Sequence, residues 1–292
     1  MKKLLAILLL LNLNLHAAEK GLLHQWRFDQ AKNGIVAAKV GAPVKYSGSV
    51  SLEKMSGLSW LQLKGTDSRV WVTDDYTTVK VPQKSITVEA WVSPAHPMQW
   101  GGIAGVFQDN GGYERGWLLG YVNRKFSFVI ASEGRQKLEP YMQGTTDFQE
   151  NRWYHVVGTY DSDTTATRLF VNGKLEASHT NNSGAIFYPP KATFDLGSYK
   201  DDNENHRGTI GLHEISVYEK ALSAEVIAKR FAVRKSEFPL PPESLWFVAS
   251  PQLRWKKRDA LEIEWELPEA LPVEILWKRK DGTELRKIPV KA

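Results

Sequence analysis

Cysteine is absent from this chain of 292 residues. Its absence excludes disulfide bonds, thiolate metal sites and a cysteine nucleophile. A lipid-modified cysteine is excluded as well, so we expect no acyl anchor. A bilayer-spanning helix needs about 20 apolar residues, and the longest apolar segment, residues 4–15, is too short. We therefore expect no transmembrane anchor either.

A concentrated basic surface is also missing, although the formal net charge is +5. The densest basic group lies within residues 254–258 and is followed at once by acids. No basic stripe alternates with aromatic residues, as a nucleic acid interface would require. We therefore expect no nucleic acid partner.

The N-terminus has the pattern of a secretory signal peptide. Lys2 and Lys3 precede the apolar segment, and the small residues Ala17 and Ala18 follow it, which is the order of a charged region, a hydrophobic region and a cleavage site. We assign residues 1–18 to the signal peptide and expect export to the periplasm or the extracellular space. Removing the two lysines lowers the net charge from +5 to +3, because this segment contains no acid.

Short strand patterns separated by turns run through most of the remaining chain. In residues 151–177, two segments rich in β-branched and aromatic residues are followed by Asn172-Gly173, a strong signal for a hairpin with a type I′ turn. Residues 85–93 alternate regularly, with Glu89 and Trp91 on the face opposite the apolar one. We expect that second face to meet solvent or a shallow groove. The pattern predicts an all-β chain.

Other elements follow from the same signals. Strands are predicted at residues 22–28, 61–63, 70–72, 117–122, 125–131, 193–197 and 209–218. Residues 35–57 are predicted to be loop with one short strand, and residues 94–113 and 200–207 are predicted to be loops; a long loop is often functional. One helix is predicted from Ala224 to about Val233, with Ser223 as its N-cap.

Four motifs, in this order, resemble the laminin-G-like domains of the concanavalin A-like lectin/glucanase superfamily. They are residues 85–94 (SITVEAWVSP), 153–160 (WYHVVGTY), 169–174 (LFVNGK) and 212–218 (LHEISVY), with ALS following at 221–223. The resemblance covers roughly residues 22–233. It implies a jelly-roll sandwich of two curved antiparallel sheets, a fold that protects the edges of an all-β chain.

The resemblance also implies a structural calcium ion, held by backbone carbonyls near the first strand and by an acid near the last one. The carboxylates at those places are Asp29 and Glu214, while His213 stands where the family usually has an aspartate. Calcium takes six to eight oxygen ligands, and an imidazole supplies none. The alternative is that Asp29 caps a turn and that Glu214 and His213 are ordinary strand residues.

A proline-rich segment separates a second unit from the jelly roll. We assign residues 19–236 to the jelly-roll domain, 237–244 to a stiff linker, and 245–292 to a small β appendage. Strand patterns at 260–267, 273–280 and 285–290 make the appendage resemble the first half of a fibronectin-III-like sandwich. Half a sandwich exposes its inner face, so the appendage packs on the jelly roll or the natural chain continues beyond Ala292.

Catalytic motifs are weak in this sequence. Glu262 and Glu264 nearly match the Glu-x-Asp-x-Glu strand of laminarinase-like glycoside hydrolases, in which two carboxyl groups lie about 5 Å apart. Glutamate replaces the aspartate, however, and the segment follows the linker, so a solvated strand face is the simpler interpretation. A Ser-x-x-Lys pattern at residues 51–54 lacks the partner motifs of the enzymes that use it.

Aromatic residues outside the predicted strands favour a binding function. The apolar faces of sugar rings stack on aromatic planes, and sugar hydroxyls need amide and charged partners. The candidate ligand-binding residues are Trp100, Asn110, Tyr113, Glu114, Arg115, Tyr141, Tyr199, Asp201 and Asp202. The alternative for each aromatic residue is that it covers a sheet edge.

We therefore predict an exported, non-catalytic binding module that recognises a glycan or an extracellular protein ligand. If the chain is part of a longer protein, the module would target a larger secreted hydrolase. One alternative is a protein-interaction or structural domain without sugar affinity. A second is a laminarinase-like glycoside hydrolase. The fold by itself does not choose between these functions.

Overall fold

The computed structural model describes residues 19–55 and 57–238, together with strands at 249–257, 260–266, 273–278 and 284–290. The chain divides into two compact units, Met1–Leu240 and Pro241–Ala292. The described part of the first unit contains two antiparallel sheets of eight strands each and one short α-helix. The predicted all-β jelly-roll sandwich is confirmed.

Strands are numbered in chain order. Sheet A consists, in spatial order, of β14 (Lys174–His179), β13 (Ala166–Val171), β12 (Tyr154–Asp161), β7 (Ile86–Pro94), β18 (Thr209–Tyr218), β5 (Leu58–Lys64) and β4 (Val50–Met55), and β1 (Leu22–Arg27) also pairs with β18. Sheet B consists of β11 (Met142–Asp147), β10 (Lys125–Ile130), β9 (Glu114–Asn123), β8 (Met98–Asp109), β15 (Phe194–Leu196), β6 (Arg69–Thr73), β3 (Val44–Ser47) and β2 (Ile35–Val36). A separate hairpin joins β16 (Ser198–Lys200) to β17 (Asn205–Arg207).

The second unit contains two antiparallel strand pairs among its described residues. One pairs β19 (Ala249–Lys257) with β20 (Ala260–Glu266), and the other pairs β21 (Val273–Lys278) with β22 (Glu284–Val290). The predicted strands at 260–267, 273–280 and 285–290 are therefore present.

The main core lies between sheets A and B. In β7, Ile86, Val88, Ala90 and Val92 belong to this core and are fully buried, as the alternation in the sequence predicted. Burying one such side chain contributes roughly 1.5 to 3 kcal/mol. The hairpin after β13 is also as predicted, because Asn172 and Gly173 have φ values of 48° and 76°, which a type I′ turn requires.

The prediction of a loop over residues 94–113 is wrong, because most of this segment forms β8, an inner strand of sheet B. Its glycines serve close packing: a Cβ atom on Gly102 would lie 1.8 Å from the carbonyl oxygen of Ser198. The prediction of a loop with one short strand over residues 35–57 is also wrong, since three strands, β2, β3 and β4, lie there. The predicted loop 200–207 contains β17.

The outer face of β7 is covered, which contradicts the predicted solvent-exposed face or groove. Helix α1 (Ala224–Arg234) begins after Ser223, whose side chain accepts a hydrogen bond from the amide of Val226. The ring of Phe238 stacks on Trp91 with 3.8 Å between ring centroids.

Among the residues described, no helix is long and apolar enough to cross a lipid bilayer.

A buried ionic cluster fastens α1 to sheet A. The carboxylate of Glu89 lies 2.8 Å from Nε2 of His155 and accepts a 2.6 Å hydrogen bond from Arg230. Burial raises the pKa of Glu89, but the hydrogen bond from His155 and the charges of His155 and Arg230 outweigh burial, so the pKa is lowered. This part of the outer face of sheet A is therefore covered by α1 and the ion-pair network beneath it.

Candidate functional site

The predicted ligand-binding residues lie together at the outer face of sheet B. In β9, Trp117 and Leu119 point into the main core, so Leu118 between them points outward. Leu118 belongs to a cluster that we call the outer aromatic cluster. Its buried members are Phe107, Leu118, Val129, Ala131, Leu138 and Tyr199, and Trp100, Tyr141 and Phe187 pack against it. Residues far apart in the sequence meet at this face.

Two connections cover this face of the sheet. The segment between β10 and β11 places Leu138 in the outer aromatic cluster, where it is fully buried, and Tyr141 beside it. The hairpin of β16 and β17 lies against β8 and contributes Tyr199. The surface of the site is therefore built from connections supported on a regular sheet, which is a common arrangement for binding sites.

Asp109, at the end of β8, is the polar centre of the site. The hydroxyl groups of Tyr141 and Tyr199 donate hydrogen bonds to its Oδ2 atom at 2.6 and 2.5 Å, respectively. The ring of Trp100 lies 5.2 Å from that of Tyr141 and 6.0 Å from that of Tyr199. An oriented carboxylate and three aromatic rings thus lie next to one another at the outer face of sheet B.

The two phenols are held in the donor state. Burial raises the pKa of Tyr141 and of Tyr199 far above the usual value, and the negative charge of Asp109 raises both further. Both hydroxyl groups therefore remain protonated at all physiological pH values. As a result, Asp109 keeps one fixed orientation.

Asp201 has a structural position in the site. It is buried, and its Oδ2 accepts a 3.1 Å hydrogen bond from the amide of Asp109. Its Oδ1 accepts from the amides of Asn203 and Glu204 at 3.0 and 2.6 Å. Both oxygens are therefore occupied by backbone donors. The neighbouring Asp202 has an exposed side chain.

The remaining predicted residues lie at the start of β9 and just before it. The guanidinium of Arg115 stacks between the rings of Tyr113 and Phe187, at 4.3 and 4.4 Å from their centroids. The side-chain oxygen of Asn110 is buried and has no hydrogen-bond partner among the residues described. Such an atom costs free energy unless water or a ligand satisfies it.

Glu114 faces Asp109 across the hairpin of β8 and β9. Its carboxyl group accepts a 3.1 Å hydrogen bond from the amide of Leu138. Burial raises the pKa of Glu114, and the negative charges of Asp109 and Glu139 raise it further. This end of the site is therefore acidic.

The structure thus brings the predicted residues into one connected group, but with different exposure. Tyr199 and Asp201 are buried, Asp202 is exposed, and the others are half-buried. Sequence reasoning missed Asp109, although it is the residue to which both phenols bind. Its position opposite Glu114 in a hairpin could have identified it as a site residue. Because residues 94–113 were predicted to be a loop, this hairpin was not predicted.

The carboxylates predicted to bind calcium form ion pairs with arginine and lysine side chains. Asp29 lies 3.6 Å from Arg27 and 3.9 Å from Lys39, and Glu214 lies 3.1 Å from Arg234. Within the described ranges, no group of three or more His, Cys, Asp or Glu residues is placed to hold a metal. Calcium takes six to eight oxygen ligands, and its binding at Asp29 and Glu214 stays a prediction.

A cavity of about 450 Å³ lies elsewhere, beside β1 and the segment that precedes β7. It is lined by Leu23, Tyr76, Thr77, Val79, Lys80, Val81, Gln83 and Glu219. None of the predicted site residues contributes to its wall.

Glu262 and Glu264 lie on β20 in the second unit, and their side chains are outside the described part of the structure.

Comparison with known proteins agrees with this architecture. The search of curated sequences finds no significant match. A Trypanosoma rangeli sialidase in complex with sialic acid matches with a TM-score of 0.54 and 14% identity, over 74% of this chain and 33% of the sialidase. The receptor binding domain of botulinum neurotoxin D matches with a TM-score of 0.54 and 13% identity, over 92% of this chain and 70% of that chain.

At these identities the structural matches show a shared fold alone, and the chain spans only about a third of the length of the sialidase. The family assignment comes from the amino-acid sequence. A laminin G-type family model, described as concanavalin A-like lectin/glucanases superfamily, matches residues 64–228, more than half of the chain. The chain therefore belongs to the concanavalin A-like lectin/glucanases superfamily.

Proposed function

We propose that this protein is an exported, non-catalytic module that binds glycans at the outer face of sheet B. The observation that carries the proposal is the meeting of Trp100, Tyr141 and Tyr199 around the oriented carboxylate of Asp109. These residues come from three separate segments of the chain. Their convergence on one carboxylate supports a binding surface at this face.

The chemistry of the site suits a sugar. The ring of Trp100 is half-buried, so one part is fixed by packing and another part faces outward. An apolar sugar face that packs on this ring gains about 25 cal/mol for each Å² of apolar surface removed from water. The hydroxyl groups of the sugar then need acceptors and donors, which the carboxylate of Asp109 and the amide of Asn110 supply.

The arrangement of the acids supports binding over hydrolysis. A glycoside hydrolase needs two carboxyl groups free to act on the two sides of the scissile bond. Asp109 and Glu114 are the facing pair at this surface, but Asp109 holds two phenols and Glu114 holds the amide of Leu138. One oxygen of each group, Oδ2 of Asp109 and Oε2 of Glu114, is therefore engaged in holding a covering segment.

Export and the wider context are parts of the same proposal. The charged, apolar and small-residue order of residues 1–18 supports removal of a signal peptide. The sialidase that shares the fold is about three times as long as the part that matches. This supports a role in which the module targets a longer secreted hydrolase.

The test is binding of the mature chain to an array of immobilised glycans, followed by titration of tryptophan fluorescence with soluble hits. We expect Trp100→Ala to weaken binding at least tenfold, because the aromatic contact is lost. Trp60→Ala is the matched control, since Trp60 is also half-buried but contacts Trp153. Equal losses in both variants would contradict the assignment of the site.

A protein ligand is the second candidate function. The neurotoxin chain that shares the fold is a receptor binding domain, which supports receptor recognition by this fold. An array without any hit would favour this candidate. Release of reducing ends from a β-glucan, lost in Glu262→Gln or Glu264→Gln, would instead establish a hydrolase.

A further inference from the structure

We infer that the outer-face site selects glycans without negative charge, and that Asp109 is the residue that makes this selection. The inference rests on the proposed function, because it assigns a ligand class to the same site. It is carried by the geometry of Asp109, by the charges around it and by the way in which the nearby cations are engaged.

The two oxygens of Asp109 differ in their partners. Oδ2 accepts hydrogen bonds from both Tyr141 and Tyr199, so the plane of the carboxylate is fixed. Within the described residues, Oδ1 accepts no hydrogen bond. A fixed acceptor beside an aromatic ring matches the hydroxyl donors of a sugar that stacks on Trp100, and a charged acceptor forms the stronger kind of hydrogen bond.

Acidic side chains surround this end of the site. Glu114 faces Asp109 across the hairpin. Glu139 is close enough for its charge to act on Glu114, and its side chain is 53% exposed. The exposed side chain of Asp202 adds a further acid. A ligand carboxylate or sulfate placed near Asp109 would therefore meet several like charges.

Three of the cations near the same region contact other groups. Arg115 is stacked between two rings, Arg135 lies 3.8 Å from Glu139, and Lys200 donates to the carbonyl of Asp201. Lys137 acts on Glu114 by its charge. By contrast, Asp109 forms no ion pair within the described ranges. Without an ion pair, the carboxylate at the centre of the site repels an anion, and specificity arises from the excluded ligand as well as the favoured one.

The test uses the full mature chain and an array that carries neutral oligosaccharides beside their sialylated and sulfated counterparts. We expect the neutral members of each pair to bind at least tenfold more tightly. In Asp109→Asn the amide oxygen still accepts from both phenols, while an NH₂ group replaces Oδ1. We therefore expect roughly tenfold weaker binding of neutral glycans and a smaller difference between the neutral and charged members.

Asp163→Asn is the matched control. Asp163 is exposed in the turn between β12 and β13, at another part of the chain, so the same change of charge should leave binding as it is. Glu139→Lys is a second variant in case Asp109→Asn melts below the assay temperature. It changes an exposed side chain, and we expect it to raise the binding of sialylated members.

The outcomes separate the two proposals. Preferential binding of sialylated or sulfated glycans would overturn this inference and leave the proposed function standing. Unchanged binding of neutral glycans by Asp109→Asn, with normal melting, would also overturn the inference alone. Absence of binding to every glycan would overturn both proposals.

Discussion

The hydroxyl of Tyr199 donates a 2.5 Å hydrogen bond to Asp109, which lies 90 residues earlier in the chain. This bond ties the hairpin of β16 and β17 to the end of β8. It therefore couples the covering hairpin to the sheet that supports it.

Loss of this hydrogen bond should be measurable as a change in stability. We expect Tyr199→Phe to lower the free energy of unfolding by about 1.5 to 3 kcal/mol, the usual net contribution of a hydrogen bond to a charged group. Urea denaturation followed by fluorescence measures the change. Tyr46→Phe is the control, because Tyr46 packs against the core without a described hydrogen bond of its hydroxyl. Equal effects of the two substitutions would contradict the prediction.

His213 should make the fold sensitive to mild acid. Its Nδ1 lies 2.6 Å from the carbonyl of Ser59 and its Nε2 lies 3.2 Å from Arg234. Burial, with a further contribution from Arg234, lowers the pKa of His213 from 6.5 to about 4. The folded state binds fewer protons than the unfolded state between these values, so stability is complete above pH 6.5 and falls as the pH decreases toward 4.

The expected loss is about 3 kcal/mol across this pH range, since each pKa unit corresponds to about 1.4 kcal/mol. Chemical denaturation at several pH values measures it. His213→Gln removes the titrating group, so the variant should lose less stability than the wild type over the same range. A histidine resonance of residue 213 that titrates near 6.5 in NMR spectra of the folded protein would refute the assignment.

Phe238 should be required for the stability of the first unit. Its side chain is 5% exposed and stacks on Trp91, so it covers the outer face of sheet A. We expect Phe238→Ala to cost about 3 kcal/mol, because a large buried aromatic is removed. Val233→Ala is the control, since Val233 is 70% exposed.

The same contact predicts where the chain can be shortened. A chain that ends at Leu240 should melt like the full protein, whereas one that ends at Glu237 should melt at a lower temperature. Differential scanning calorimetry of the two chains measures the difference. Identical melting would show that Phe238 does not stabilise the unit.

Calcium should leave the stability unchanged. The hypothesis of a calcium ion at Asp29 and Glu214 predicts stabilisation of about 2.7 kcal/mol at a hundredfold excess over the dissociation constant. The ion pairs of Asp29 with Arg27 and of Glu214 with Arg234 predict no shift. Thermal melting in calcium and in a chelator distinguishes the two, and a clear rise with calcium would restore the hypothesis.

Local patterns were enough to predict most strands and the single helix. Alternation in residues 85–93, the Asn172-Gly173 turn and the cap at Ser223 each appear in the structure as expected. Such signals depend on neighbours in the sequence, so they need no knowledge of distant contacts. Glycine in β8 was misleading as a loop signal, because Gly102 is required by the close approach of Ser198, which is far away in the chain.

The amino-acid sequence by itself determined the all-β class, the sandwich and the residue types available for a site, because periodicity and turn chemistry are local. Only the tertiary structure decided which residues meet. Glu89 and Trp91 have the pattern of an open face, yet α1 and Phe238 cover them. Asp109 gains its two phenols only when distant segments cross the outer face of sheet B, since such contacts depend on how the sheets and connections pack.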